Sequence, residues 1–66
     1  MKVVINDKPQ ETSAKTVAEL AKELGLSNQS AIAIAIDEQV ISRSSWATFA
    51  LTENATVLII RAAQGG

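Results

Sequence analysis

Thr56-Val57-Leu58-Ile59-Ile60-Arg61-Ala62 is the stretch on which the fold turns. Val57, Leu58, Ile59 and Ile60 carry apolar groups to both faces of an extended chain, because side chains alternate with period two. A strand apolar on both sides belongs in the middle of a sheet, often parallel to a neighbour. Working back from it, Thr52-Glu53-Asn54-Ala55 reads as a turn, and Ser42 to Trp46 as a turn or a brief 3₁₀ segment. Before these, Ala31 to Ile36 alternates strictly between Ala and Ile. Ile32, Ile34 and Ile36 therefore share one face and Ala31, Ala33 and Ala35 the other, and the larger isoleucines are expected to face the core. Asp37-Glu38 turns the chain into a very short strand at Gln39-Val40-Ile41.

The N-terminal half supplies a hairpin and a helix. Met1 to Ile5 is a β-rich run, Asn6-Asp7 is turn material, and the second strand resumes at Pro9-Gln10-Glu11-Thr12. Pro9 has no N–H to donate, which places this strand on a sheet edge. Thr16-Val17-Ala18-Glu19 fits a capping box. Val17, Leu20, Ala21 and Leu24 follow at helical spacing, and Gly25 stops a helix of about nine residues. So short a helix is held only by packing on a sheet. The order is β-hairpin, helix, β, short β, β. The expected fold is α+β: a β-grasp (ubiquitin-like) domain with a mixed sheet of four to five strands. One helix packs across one face, and the first and last strands are adjacent in the middle. Residues 1–62 form that domain and residues 63–66 a flexible tail ending in Gly-Gly.

Composition narrows the chemistry. The chain has 66 residues, enough for one domain. Hydrophobic residues make up 47%, too many for a disordered tail. With no cysteine and no histidine there is no thiol nucleophile, no Ser-His-Asp set and no cysteine–zinc site. A formal charge of −1 argues against nucleic acid as a partner. The longest apolar run, Ala31 to Ile36, is far short of the roughly 20 residues of a membrane span. No signal peptide can be read at the N-terminus. These absences predict a soluble, cytoplasmic protein with no membrane partner. Glu19 and Glu23 lie at i, i+4 and read as a solvated helix face beside Lys22. The chain is expected not to be an enzyme by itself and to bind no cofactor or metal.

What remains is the C-terminus. Four residues beyond Ala62 carry a carboxylate roughly 13–14 Å past the sheet. Glycine lacks a Cβ, so Gly65 and Gly66, preceded by Gln64, can thread a narrow channel. Adenylation would convert the Gly66 carboxylate into an acyl donor for a sulfur or nitrogen nucleophile. The alternative is a frayed, inert terminus.

The whole chain resembles the ThiS family of sulfur carriers in thiamine biosynthesis, related to the molybdopterin-synthase small subunit and to ubiquitin. The resemblance is carried by Met1-Lys2-Val3-Val4-Ile5-Asn6, Thr16-Val17-Ala18-Glu19-Leu20, and Ala33 through Ile41. Arg43 with Trp46 and the closing Gly65-Gly66 complete it. Ser42 stands where the family often has Pro, and Glu53-Asn54-Ala55 where it has an acidic-Gly turn. The resemblance implies a cycle. A ThiF-like adenylating enzyme uses Mg-ATP to make a Gly66 acyl-adenylate. Sulfur from a cysteine desulfurase persulfide displaces AMP to leave a thiocarboxylate, and thiazole synthase takes that sulfur. Two other readings stay open: a molybdopterin-type carrier with another acceptor, and an interaction module with an inert tail.

Both partners would hold the globule by the sheet face that the helix leaves bare. Ala33 and Ala35, with Ala31, would make that face low and flat, joined by either Leu58 and Ile60 or Val57 and Ile59. Arg61, beside the tail exit, is either a solvated strand-end charge or a guide for an acidic or phosphate-bearing partner. Arg43 reads as a surface residue. Trp46 is either a core anchor or an exposed interface residue.

Overall fold

The computed structural model describes residues 1–61. Ala62, where the last strand was expected to end, and the 63–66 tail lie outside the described residues. The elements are β1 (Lys2–Ile5), β2 (Lys8–Glu11), α1 (Val17–Glu23), β3 (Ile32–Ile36), β4 (Gln39–Ile41), a 3₁₀ turn (Arg43–Ser45) and β5 (Thr56–Arg61). The five strands form one sheet in the order β2-β1-β5-β3-β4. β5 is central and runs parallel to β1 and antiparallel to β3. This is the mixed sheet with first and last strands adjacent that the apolar run at 57–60 predicts.

Both hairpins use two-residue loops. Ile5 pairs with Lys8 and Ile36 with Gln39. The loop residues Asn6 (φ 49°), Asp7 (φ 70°), Asp37 (φ 49°) and Glu38 (φ 74°) are all left-handed. That conformation matches the right-handed twist of the flanking strands. β2 is exposed throughout, as an edge strand carrying Pro9 should be. It begins one residue earlier than the sequence suggests and ends at Glu11. Thr12 leaves the ladder to become the buried polar residue of the core, its Oγ1 donating to Glu23 Oε1 at 2.6 Å and accepting from Ala14 N at 3.0 Å.

The helix has seven residues, two fewer than its periodicity suggests, because Leu24 is already the C-cap. Gly25 (φ +75°) donates to Lys22 O at 3.1 Å, and Leu26 N–H donates to Ala21 O at 2.8 Å. These two bonds make a Schellman motif, with Leu26 and Ala21 both buried beneath it. A Cβ at Gly25 would meet nothing within 4 Å, so the requirement is purely the backbone angle. Gly25→Ala is therefore expected to cost about 1 kcal/mol. Its thermal midpoint should fall by about 4–8 °C; an unchanged midpoint would mean that the cap contributes nothing.

At the other helix end, Thr16 Oγ1 accepts from Glu19 N at 3.2 Å. The reciprocal half of the capping box is displaced by one residue: Glu19 Oε1 accepts from Lys15 N at 2.9 Å. Val17 N and Ala18 N donate to the carbonyls of Phe49 and Trp46, so tertiary contacts supply the remaining partners for this turn. Glu23 is not merely solvated. It takes hydrogen bonds from Thr12 and Ser13 and ties the helix to the segment leaving β2.

The core lies between α1 and one sheet face. Val3, Val17, Leu20, Ile34 and Val57 are fully buried, with Ile32, Ile36, Ile41 and Trp46 around them. The isoleucines of β3 face inward as their size requires. Trp46 resolves as a core anchor, 5% exposed, its Nε1 donating to Ile41 O at 3.0 Å.

Candidate functional site: the bare sheet face and the tail root

The register of β5 against β3 settles which residues share the face opposite the helix. Directly opposed residues in an antiparallel pair lie on the same face. Ile32, Ile34 and Ile36 oppose Arg61, Ile59 and Val57, so these lie on the helix side. Ala33 and Ala35 oppose Ile60 and Leu58, which therefore stand on the bare face. Val40 of β4 opposes Ala35 and extends the same row.

Leu58 is 49% exposed, Ile60 41% and Val40 65%. Isolated exposed apolar residues are ordinary, but three on one face, flanking alanines, form a patch suited to a protein partner. The relief differs from the flat surface that the alanines alone suggest. Ala33 is half-buried and Ala35 buried, so they form a floor between taller side chains. Ala35 offers almost no contact area; Leu58 and Val40 beside it do. Val40 is a surface residue that the sequence reading did not assign. Its signal is the β3–β4 register, which follows once the two-residue turn at Asp37-Glu38 is recognised.

Arg61 ends the described part of β5. Its guanidinium Nη1 donates to Gln29 Oε1 at 3.0 Å. Arg43 reaches the same connection from the 3₁₀ turn. It donates to the carbonyls of Ser27 and Gln29, and its guanidinium lies 4.3 Å from the centroid of the Trp46 ring. Arg43 thereby clamps the 27–30 connection over the Trp46 anchor. Gln29, bonded to both arginines, is a second residue the sequence reading did not single out. Among the described residues neither guanidinium has a carboxylate within salt-bridge distance.

Gln64, Gly65 and Gly66 lie outside the described residues. No group of three or more potential metal-ligating side chains occurs among the described residues, and no helix there is long and apolar enough to cross a membrane. The sequence model of the ThiS family matches residues 3–66.

The chain belongs to the ThiS family.

The fold agrees with that membership. A crystal structure of the thiamine biosynthesis protein ThiS from Geobacter metallireducens matches with a TM-score of 0.85 at 19% identity, covering 100% of both chains. An NMR solution structure of a thiamine biosynthesis protein from the same organism matches with a TM-score of 0.78 at 19% identity, covering 100% of this chain and 88% of the other. At that identity the likeness concerns the fold alone. No curated protein matches the sequence. For this ThiS-family chain, the β-grasp sheet brings together Ala33, Ala35, Leu58, Ile60 and Val40 on one face. Arg61 stands at its rim, at the end of the strand that leads into residues 62–66.

Proposed function

We propose that this chain is a sulfur carrier in thiamine biosynthesis and that Gly66 is the carboxyl terminus on which the sulfur rides. The observation that carries the reading is the family match running through residue 66, which takes in Gly65-Gly66. The chain acts as a co-substrate of other enzymes rather than as a catalyst.

A ThiF-like adenylating enzyme uses Mg-ATP. A Gly66 carboxylate oxygen attacks the α-phosphorus and releases pyrophosphate. The terminal sulfur of a cysteine desulfurase persulfide attacks the acyl carbon and displaces AMP. A thiol then cleaves the resulting acyl disulfide and leaves a thiocarboxylate, which thiazole synthase consumes. The carrier's part is positional. Gly65 and Gly66 present an acyl carbon without a neighbouring Cβ to hinder threading, and Gln64 precedes them. The bare sheet face and Arg61 hold the globule against the enzyme. The cycle is read as cytoplasmic, in keeping with the lack of a readable signal segment.

The reading predicts a specific mass. Protein isolated from thiamine-starved cells should contain a species heavier by about 16 Da, the difference between sulfur and oxygen, with the gain localised to Gly66 by fragmentation. Cells lacking the adenylating enzyme should yield only the lighter species. A uniformly unmodified mass in starved wild-type cells would remove the reading in favour of an inert tail.

A further inference from the structure

β5 loses its neighbour on one side before it ends. On the β1 side the parallel ladder runs only through Val4↔Thr56 and Ile5↔Val57. Asn6 N–H still donates to Val57 O at 2.9 Å. The next rung of a regular parallel ladder would be Ile59 N–H to the Asn6 carbonyl. The left-handed turn at Asn6 ends the strand, and the Asn6 side chain takes that place: Ile59 N–H donates to Asn6 Oδ1 at 2.9 Å. Beyond it, β2 already runs back along the far side of β1.

Backbone groups of a strand alternate sides with period two. Thr56 exchanges hydrogen bonds with Asp37 on the β3 side, whereas the Val57 carbonyl and Ile59 N–H point to the β1 side. The Ile59 carbonyl and Arg61 N–H therefore also point to the β1 side. Among the described residues no strand lies there to receive them. Unpaired strand edges are templates for another chain, and proteins usually blunt or cover them. This edge has Ile60 exposed on the bare face and, on the other, the Arg61 guanidinium, which is bonded to Gln29 Oε1 and has no carboxylate partner among the described residues.

We infer that this half-edge is a strand-addition site for an extended segment of the adenylating enzyme, which pairs with Ile59 and Arg61 and so aligns residues 62–66 with the enzyme's channel. The inference rests on the carrier reading and deepens it. The occupant is chosen by continuity: residues 62–66 follow Arg61 directly and span at most about 16–18 Å, so the enzyme that receives Gly66 must come close to this edge. The pairing also defines the segment's chemistry. It carries an apolar side chain next to Ile60, a carboxylate facing Arg61, and a free N–H and carbonyl at the paired position. Main-chain bonds supply the alignment, and the alternating side chains supply the selectivity.

Amide hydrogen exchange on the full chain tests this directly. In the free protein the Leu58 and Ile60 amides, directed at β3, should exchange slowly, and the Arg61 amide quickly. Adding the ThiF-like enzyme should slow exchange at Arg61 by at least about tenfold. A semisynthetic chain with an ester in place of the Arg61 N–H should raise KM for adenylation about threefold to tenfold with kcat unchanged, the worth of one hydrogen bond. An Arg61 amide protected in the free chain, still open in the complex, or replaceable by the ester without effect would overturn the inference. If adenylation proceeds normally in those cases, the carrier reading survives. If the wild-type chain is never adenylated, both fall together.

Discussion

Deleting Gly66 should abolish loading of the chain while leaving its fold unchanged. The truncated protein still ends in a glycine carboxylate, so the chemistry of the acyl group is the same. Only its position differs. Each extended residue contributes about 3.3–3.6 Å of reach, so the new carboxylate stops about that far short of the α-phosphorus. Reaction requires the attacking atoms within about 3–3.5 Å, and misplacement by about 1 Å already costs on the order of 10²-fold. Pyrophosphate release by the adenylating enzyme should therefore fall by at least about 10²-fold, with no heavier species in cells. The last described strand residue is Arg61, five positions before the deletion, and the thermal midpoint should match the parent's. A truncated chain that still supports sulfur transfer would sink the carrier reading.

Trp46→Ala should leave the chain largely unfolded. The indole is buried among Ile41, Leu51 and the helix, bonds Ile41 O through Nε1, and lies beneath the Arg43 guanidinium. Its backbone carbonyl also receives Ala18 N–H at the start of α1. Removing a buried tryptophan costs about 3–5 kcal/mol through lost burial and the cavity left behind. A core in a chain of this size rarely supplies more than about 3–5 kcal/mol in total. Far-UV circular dichroism at 25 °C should show the loss. Trp46→Phe keeps most of the volume and surrenders the hydrogen bond to Ile41, and should remain folded with a lowered midpoint. A wild-type midpoint for the alanine variant would show that the helix and the 41–51 segment do not depend on this anchor.

The parts of this molecule legible from its residues are those fixed by local rules. The alternation at 31–36 put isoleucine inward because side-chain period and size suffice to decide it. Thr16 and Gly25 marked the helix ends because caps are satisfied within a few residues of sequence. The doubly apolar run at 57–60 implied a central strand, and the β-grasp reading put the first strand beside it. The functional reading came from Gly65-Gly66 and the family motifs, and needed no side-chain geometry.

Whether Leu58 and Ile60 or Val57 and Ile59 stand on the bare sheet face depended on a register that shifts by one residue without any change in composition. Only pairing with Ala33 and Ala35 decided it. The same register raised Val40 beside Ala35 and reduced Ala35 itself to a buried floor. Gln29 became a bridge between Arg43 and Arg61 because three segments distant in sequence meet at one corner, which no local pattern encodes. Asn6 served as a turn residue in the sequence, yet its carboxamide completes a rung for Ile59 53 positions away. By itself, then, the sequence determined the elements and their order along the chain, since each follows from its near neighbours. Tertiary structure alone decided which groups stand exposed at the root of the tail, because strand register and unpaired backbone edges exist only once distant segments have come together.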